Sequence, residues 1–150
     1  MINTLIYIGL NLIAAIVLLW GWTYVDKCIR LNILLWFTKW QPVATFEPSK
    51  KYAFKGVYIW QKKTLTGWKT VYVGQAVNVR NRYKQHLSNR GNPKLYKDYQ
   101  QNPAKLRFKA LSLTQTHYSD LDALEKRLIL KYKTHKKGYN KTAGNGPYRY

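Results

Sequence analysis

Residues 2–25 contain no charged side chain, and an apolar run of that length restricts this chain more than any other feature it has. About 22 helical residues at 1.5 Å each reach about 33 Å, enough to cross a hydrocarbon core of about 30 Å. A transmembrane helix is therefore expected, with the lipid bilayer as its partner. A cleavable signal peptide fits less well, because no basic residue precedes the run and no small-residue cleavage site follows it. Trp20, Trp22 and Tyr24 gather at one end, where amphipathic rings favour the membrane–water boundary, and Lys27 and Arg30 follow at once. The positive-inside rule then puts everything C-terminal in the cytoplasm, on a single-pass protein of the cell membrane. Asn11 offers a polar group through which two such helices can pair, so a homo-oligomer is one expectation, although a single Asn is as readily tolerated alone.

Residues 28–40 form a second apolar stretch, interrupted by Arg30 and Lys39. It is too short and too charged for another span, and reads as an interfacial helix or the end of a bent anchor. Pro42 and Pro48 mark residues 41–49 as a linker. The expected organisation is a transmembrane helix over 1–26, a juxtamembrane segment and linker over 27–50, and one domain over 51–150. Cys28 is the sole cysteine, which excludes an intrachain disulfide and a cysteine metal cluster.

Within the domain, Gly56-Val57-Tyr58 and Val71-Tyr72-Val73-Gly74 read as two strands joined by the polar, glycine-terminated segment 62–67. Strand side chains alternate, so Val57 and Ile59 share one face while Tyr58 and Trp60 share the other. Pairing Val57 with Val73 and Ile59 with Val71 buries an aliphatic face and sets Tyr58 opposite Tyr72. Cross-strand aromatic packing explains that phenol pair as well as chemistry does. Asn78 is a good N-cap for a helix over 79–87, on which Val79, Arg82, Tyr83, His86 and Leu87 fall in one arc. Arg82 and His86 thus face inward, or else snorkel to a nearby edge, while Arg80 and Lys84 lie on the solvated side.

Ser119 as N-cap, with Asp120 and Asp122 in the first turn, starts a helix over 121–132. Leu121, Leu124, Leu128, Ile129 and Tyr132 make its apolar stripe, and Glu125 stands in the middle of it. A carboxylate there is costly unless a cation or donor meets it, which makes Glu125 the natural metal ligand; a structural ion pair with Arg82 is the competing account. A third strand over 105–113 and a short helix over 94–100 complete the sketch. The fold expected is α+β, a small mixed or antiparallel sheet flanked by helices.

The formal net charge is +20, of which +18 lies beyond residue 40. Such a surface grips polyanions tightly without reading sequence. Arg80, Lys84, Arg90 and Lys94 lead the candidates for nucleic-acid contact, joined by Lys97, Lys131, Lys133, Lys136 and Lys137. No DNA-reading motif of known docking geometry is present, so sequence specificity is not expected.

Taken in order, Gly56-Val57-Tyr58, Tyr72-Val73-Gly74, Arg82 eight positions after Gly74, Glu125 on a later helix and Gly138-Tyr139-Asn140 resemble the GIY-YIG nuclease domain, over about residues 53–145. Each tripeptide alone is weak; the ordered set is specific. The resemblance implies hydrolysis of DNA phosphodiester bonds with one divalent cation, Mg²⁺ or Mn²⁺, held by Glu125. It further implies that Arg82 binds the scissile phosphate, that Tyr58 or Tyr72 activates water, and that His86 assists proton transfer or contacts phosphate. Gly56 and Gly74 would support the site, and Asn140 would anchor the C-terminal loop against it. Homing endonucleases of the family often carry a further histidine near the position of Asn92; this chain does not. Products with 5′-phosphate and 3′-hydroxyl ends are expected.

Two other readings stand beside a nuclease: a binding module that keeps the fold without cutting, and a non-enzymatic protein whose cations grip anionic lipid headgroups. A complete tyrosine, arginine and glutamate set argues against the first, and inward-facing Arg82 and Glu125 against the second. A nuclease held at the inner membrane face meets DNA as it enters, so action on incoming phage or plasmid DNA is the leading biological expectation, ahead of DNA uptake or mobile-element maintenance.

Overall fold

The computed structural model describes residues 2–144, and its first element, α1 (Ile2–Phe37), runs without a break. Of the two expectations for residues 28–40, an interfacial helix or the end of a bent anchor, the second is the nearer: residues 28–37 are the last part of this same helix. From Leu10 to Val25 nearly every side chain is exposed on all sides, apolar ones included, and the helix is long and apolar enough to cross a membrane. Beyond Val25 its character changes. Leu31 and Leu35, one turn apart on one face, are 4 % and 6 % exposed and sit inside the core of the following domain.

That domain is a four-stranded antiparallel sheet in the order β1-β4-β2-β3, from β1 (Gln41–Pro42), β2 (Gly56–Thr64), β3 (Gly67–Ala76) and β4 (Leu106–Ser112). Helices α2 (Val79–Leu87) and α3 (Pro93–Gln101) separate β3 from β4, and α4 (Leu121–Tyr132) and α5 (Thr134–Lys137) close the described chain. The fold is α+β, as the sequence indicates. Alternation along β2 splits the sheet into two unlike faces. Val57, Ile59, Val73 and Leu111 pack against Leu124, Leu128 and Ile129 of α4 and the two leucines of α1. Tyr58, Trp60, Phe108 and Ala110 pack against Val79 and Tyr83 of α2, Leu95 of α3 and Val43.

The register differs from the expected one by two residues. Ile59 pairs with Val73, Trp60 with Tyr72 and Tyr58 with Gly74, so the two phenols are diagonal rather than directly opposed. A turn placed one residue off accounts for half of the shift and a β-bulge between Trp60 and Gln61 for the rest: Gln61 pairs with Thr70, leaving Val71 as the extra residue, and it joins the aromatic face instead of the aliphatic one. The turn is also tighter than segment 62–67, closing on Thr64 and Gly67, where Gly67 takes a φ of 112° that favours glycine. At α4 the N-cap is Asp120, not Ser119: its carboxylate accepts from the Ala123 N–H at 2.7 Å.

Three cations fasten α1 to the domain. Arg127 of α4 donates to the Tyr24 hydroxyl at 3.1 Å and the Cys28 thiol at 3.2 Å, and Lys131 donates to the Asn32 side-chain oxygen Oδ1. These contacts advance by one turn on both helices, so α4 runs in the same direction as α1. Lys109 of β4, 5 % exposed, donates to the Leu35 carbonyl at 2.5 Å and lies 4.4 Å from the Trp40 ring centroid. It satisfies one of the carbonyls that a helix C-terminus leaves without a partner. Burial, aided by Arg107, lowers its pKa to about 8.

Candidate active site

A cavity of about 480 Å³ is lined by Tyr58, Tyr72 and His86 from the aromatic side of the sheet together with Arg82 and with Glu125 of α4. Strands β2 and β3 supply the tyrosines, α2 the arginine and histidine one turn apart, and α4 the glutamate. Asn78 sets the start of α2, its side chain accepting from the Asn81 N–H at 3.0 Å, and thereby fixes which face carries Arg82 and His86.

His86 is held from both ends. Its Nδ1 accepts from the Asn92 N–H at 2.9 Å, so the proton of the neutral ring belongs on Nε2, which donates to the Tyr58 hydroxyl at 2.9 Å. Burial first, and then the Arg82 charge, lower its pKa to about 4. The Tyr58 and Tyr72 rings lie 6.2 Å apart by centroid. Burial pushes the Tyr58 phenol well above its usual range and raises Tyr72 as well, where the Glu125 charge adds to the effect while Tyr58 and Arg82 oppose it. Tyr58 is 2 % exposed and Tyr72 only half-buried, so the series His86, Tyr58, Tyr72 leads from the core toward the open side of the cavity.

Glu125 is 8 % exposed and accepts from the Gln75 side-chain N–H at 3.0 Å; the same nitrogen donates to Asp122 at 2.5 Å. Burial raises its pKa, partly offset by Gln75. No ion pair joins it to Arg82: the pairs among the described residues are Arg30 with Asp26 and Lys62 with Asp98. The structural salt bridge weighed as an alternative is absent.

Asn140 lies on the free edge of β3, where its side-chain amide imitates a neighbouring strand. It accepts from the Val73 N–H at 3.0 Å and donates to the Val73 carbonyl at 2.7 Å, while the Tyr139 N–H donates to the Val71 carbonyl at 2.6 Å. Two glycines are dictated by sterics. A Cβ at Gly74 would stand 2.4 Å from the Tyr58 hydroxyl oxygen, and one at Gly91 would stand 2.4 Å from His86 Nδ1. Gly56 borders Leu111 rather than the cavity, its Cβ position lying 2.1 Å from the Leu111 carbonyl oxygen.

Of the proposed nucleic-acid contacts, Arg90 lines the cavity, Lys84 is exposed outside it, and Lys94 is exposed with its ammonium 5.6 Å from the Tyr139 ring centroid. Arg80 is half-buried and donates to the Pro48 carbonyl at 2.9 Å, tying down the segment before β2 instead of facing the cavity. Gln75, Gly91 and Lys141 line the cavity without having been proposed as site residues, and so do Asn92 and Tyr139, which the sequence marks only as the place of an absent histidine and as part of Gly138-Tyr139-Asn140. Adjacency to Tyr72-Val73-Gly74 was the available signal for Gln75, and adjacency to Asn140 for Tyr139 and Lys141; nothing local marks Gly91.

A family model described as the GIY-YIG catalytic domain matches residues 54–140. Searches of curated proteins and of solved structures found no match. The matched span runs from just before β2 to the Asn140 that closes the edge of β3, and contains every strand and helix that brings a side chain into the cavity, with Lys141 and Thr142 of the lining just beyond it. The chain belongs to the GIY-YIG family, whose domain is that of a nuclease.

Proposed function

We propose that this protein is a membrane-anchored, divalent-metal-dependent endonuclease that hydrolyses DNA phosphodiester bonds. The observation that carries the reading is the meeting of two phenols, a guanidinium, a neutral imidazole and a carboxylate with no cationic partner around one open cavity. The donor set suits a hard cation. Glu125 gives a buried carboxylate, Tyr72 and Asn140 give neutral oxygens nearby, and water can complete the shell, as Mg²⁺ and Mn²⁺ commonly require. When bound, the ion supplies Lewis acidity toward the phosphate and its departing oxygen.

The chain's own groups support the remaining steps. Arg82, planar and always charged, binds the scissile phosphate and stabilises the charge that grows on it. Tyr72 is the more exposed of the two phenols and the better placed to act as base toward water, once it has given up its own proton to solvent. His86, kept neutral, donates to Tyr58, which packs beside Tyr72. Water adds to phosphorus as its proton passes to the Tyr72 phenolate; the P–O bond to the 3′-oxygen breaks and that oxygen takes a proton from solvent, giving a 5′-phosphate and a 3′-hydroxyl.

Membrane anchoring rests on the bare apolar half of α1. Arg127 and Lys131 lie against Tyr24, Cys28 and Asn32, which supports a bilayer boundary near Trp20, Trp22 and Tyr24 and a span ending before the docked part. Lys27, Arg30 and the basic domain then favour the cytoplasmic side. From that position, incoming foreign DNA is the substrate reading we favour. Full-length protein in lipid nanodiscs, incubated with plasmid and Mg²⁺ beside Glu125→Ala, tests the chemistry. Intact plasmid in both samples would refute it. Phage challenge of cells carrying either form tests the purpose, and equal protection by both would remove it.

A further inference from the structure

Asp98 belongs to no family landmark, yet it is 8 % exposed and makes two short bonds. One oxygen accepts from the Lys62 ammonium at 2.5 Å, the other from the Tyr139 hydroxyl at 2.5 Å. Tyr139 is the residue before Asn140, and its backbone is held as well: its N–H is on Val71, and its carbonyl accepts from the Asn92 side chain at 3.2 Å. Asn92 in turn is the N-cap of α3, accepting from the Lys94 and Leu95 N–H groups, and its own N–H is the donor on His86 Nδ1. Helix α3 is thus a nine-residue strut with its N-terminal end against His86 and, at Asp98 in its second turn, a hold on the segment that carries Asn140.

We propose that Asp98 is a positioning residue of the nuclease site: by fixing the Tyr139 hydroxyl it seats Asn140 on the edge of β3 and holds Asn92 against His86. This rests on the nuclease reading above for its kinetic consequence, but not for its geometry. Asp98 does not line the cavity that holds Glu125 and Arg82, so it touches neither substrate nor metal. An ordinary stabilising ion pair with Lys62 is the alternative, and the two bonds to Asp98 separate the cases. A positioning role travels through Tyr139; a stabilising one travels equally through Lys62.

Full-length protein in nanodiscs is assayed for plasmid cleavage as wild type, Asp98→Ala, Asp98→Asn, Tyr139→Phe, Lys62→Met and the Asp98→Ala/Tyr139→Phe double variant. Loss of an outer partner of a site commonly costs on the order of 10- to 100-fold. We expect kcat to fall about tenfold in Asp98→Ala and Tyr139→Phe with KM for DNA within about twofold, the double variant to be no worse than either single one, and Asp98→Asn, which keeps an acceptor for Tyr139, to recover most of the rate. Lys62→Met should lower the melting temperature and leave kcat per folded molecule unchanged. Amide hydrogen exchange of the Val73 and Asn92 N–H groups, read on the same samples, should quicken in Asp98→Ala and Tyr139→Phe but not in Lys62→Met. Unchanged kcat and protection in Asp98→Ala, or equal losses in Lys62→Met, would overturn the proposal. An inactive wild type with the expected exchange pattern would instead sink the nuclease reading and leave the strut standing.

Discussion

The two faces of the β2–β3 hairpin are built from alternate residues of the same strands, and they have opposite characters. Val57, Ile59 and Val73 sit in a buried cluster of aliphatic side chains, with Trp40, Tyr118 and Tyr132 at its margin and two leucines of α1 that lie outside the matched family span within it. Tyr58, Trp60 and Tyr72 meet rings: Tyr72 and His86 lie 5.5 Å apart by centroid, and Tyr58 and Tyr72 lie 6.2 Å apart. One face gains energy from area alone and tolerates any well-shaped apolar partner, including the C-terminal part of α1. The other must satisfy hydroxyls and ring nitrogens in one arrangement, which restricts its residues to a few types. Loss of stability and loss of chemistry should therefore separate by face.

The strongest way to break this division is to excise residues 1–37. Removing Leu31 and Leu35 forfeits about 1.5–3 kcal/mol of burial each and strips Lys109 of its acceptor. Against a total of about 5–15 kcal/mol, the remaining fragment should be unfolded or aggregated, as circular dichroism and gel filtration will reveal. A cleanly folded, fully active fragment would show that the aliphatic face is complete without α1. Next in size, Arg82→Ala and Glu125→Ala should lower the cleavage rate on the order of a thousandfold while leaving the melting temperature close to wild type. Tyr72→Phe should then cost more rate than Tyr58→Phe, by on the order of tenfold, if Tyr72 is the base. Gly74→Ala sharpens the boundary between the faces: its new methyl group strikes the Tyr58 ring, and a loss of about 1–3 kcal/mol with misplaced phenols should reduce both readouts together.

The smallest effects lie in pH dependence, and each face has its own window. His86 takes up a proton near pH 6.5 in the unfolded chain and only near pH 4 in the folded one. The unfolded state binds more protons between those values, so stability is full above about 6.5 and falls as the pH drops toward 4. Lys109 gives the alkaline counterpart: its pKa falls from 10.5 to about 8 on folding, so stability should rise as the pH climbs through that interval. Thermal melts across pH should show both slopes, with Lys109→Met removing only the alkaline one.

Much of this could be read from local rules. Asn78 as a cap, period-two alternation along 57–60 and the stripe on 121–132 each fix an element through neighbours only a turn or a strand away. Register failed because the bulge at Val71 is set by Gln61 and Thr70 pairing across the hairpin, which no spacing of valines records. Leu31 and Leu35 were invisible as core residues because an apolar run that can face lipid looks the same as one that faces a sheet. Arg80 read as solvated from its helical angle, whereas its partner, the Pro48 carbonyl, arrives from a segment 32 residues away in sequence. Asp98 and Asn92 were likewise ordinary helix-surface polar residues until the C-terminal segment folded back to them.

The unbroken course of α1 has a mechanical outcome. Twelve residues of rigid helix lie between Val25 and Phe37, a rise of about 18 Å, and the nuclease domain is bolted along that length rather than strung from its end. Were residues 2–23 to lie in a bilayer, as proposed above, such a post would permit rotation and lateral drift but almost no vertical excursion. The proposed cutting edge would then patrol a thin layer above the lipid, and a DNA strand would escape it simply by staying a few tens of ångströms away.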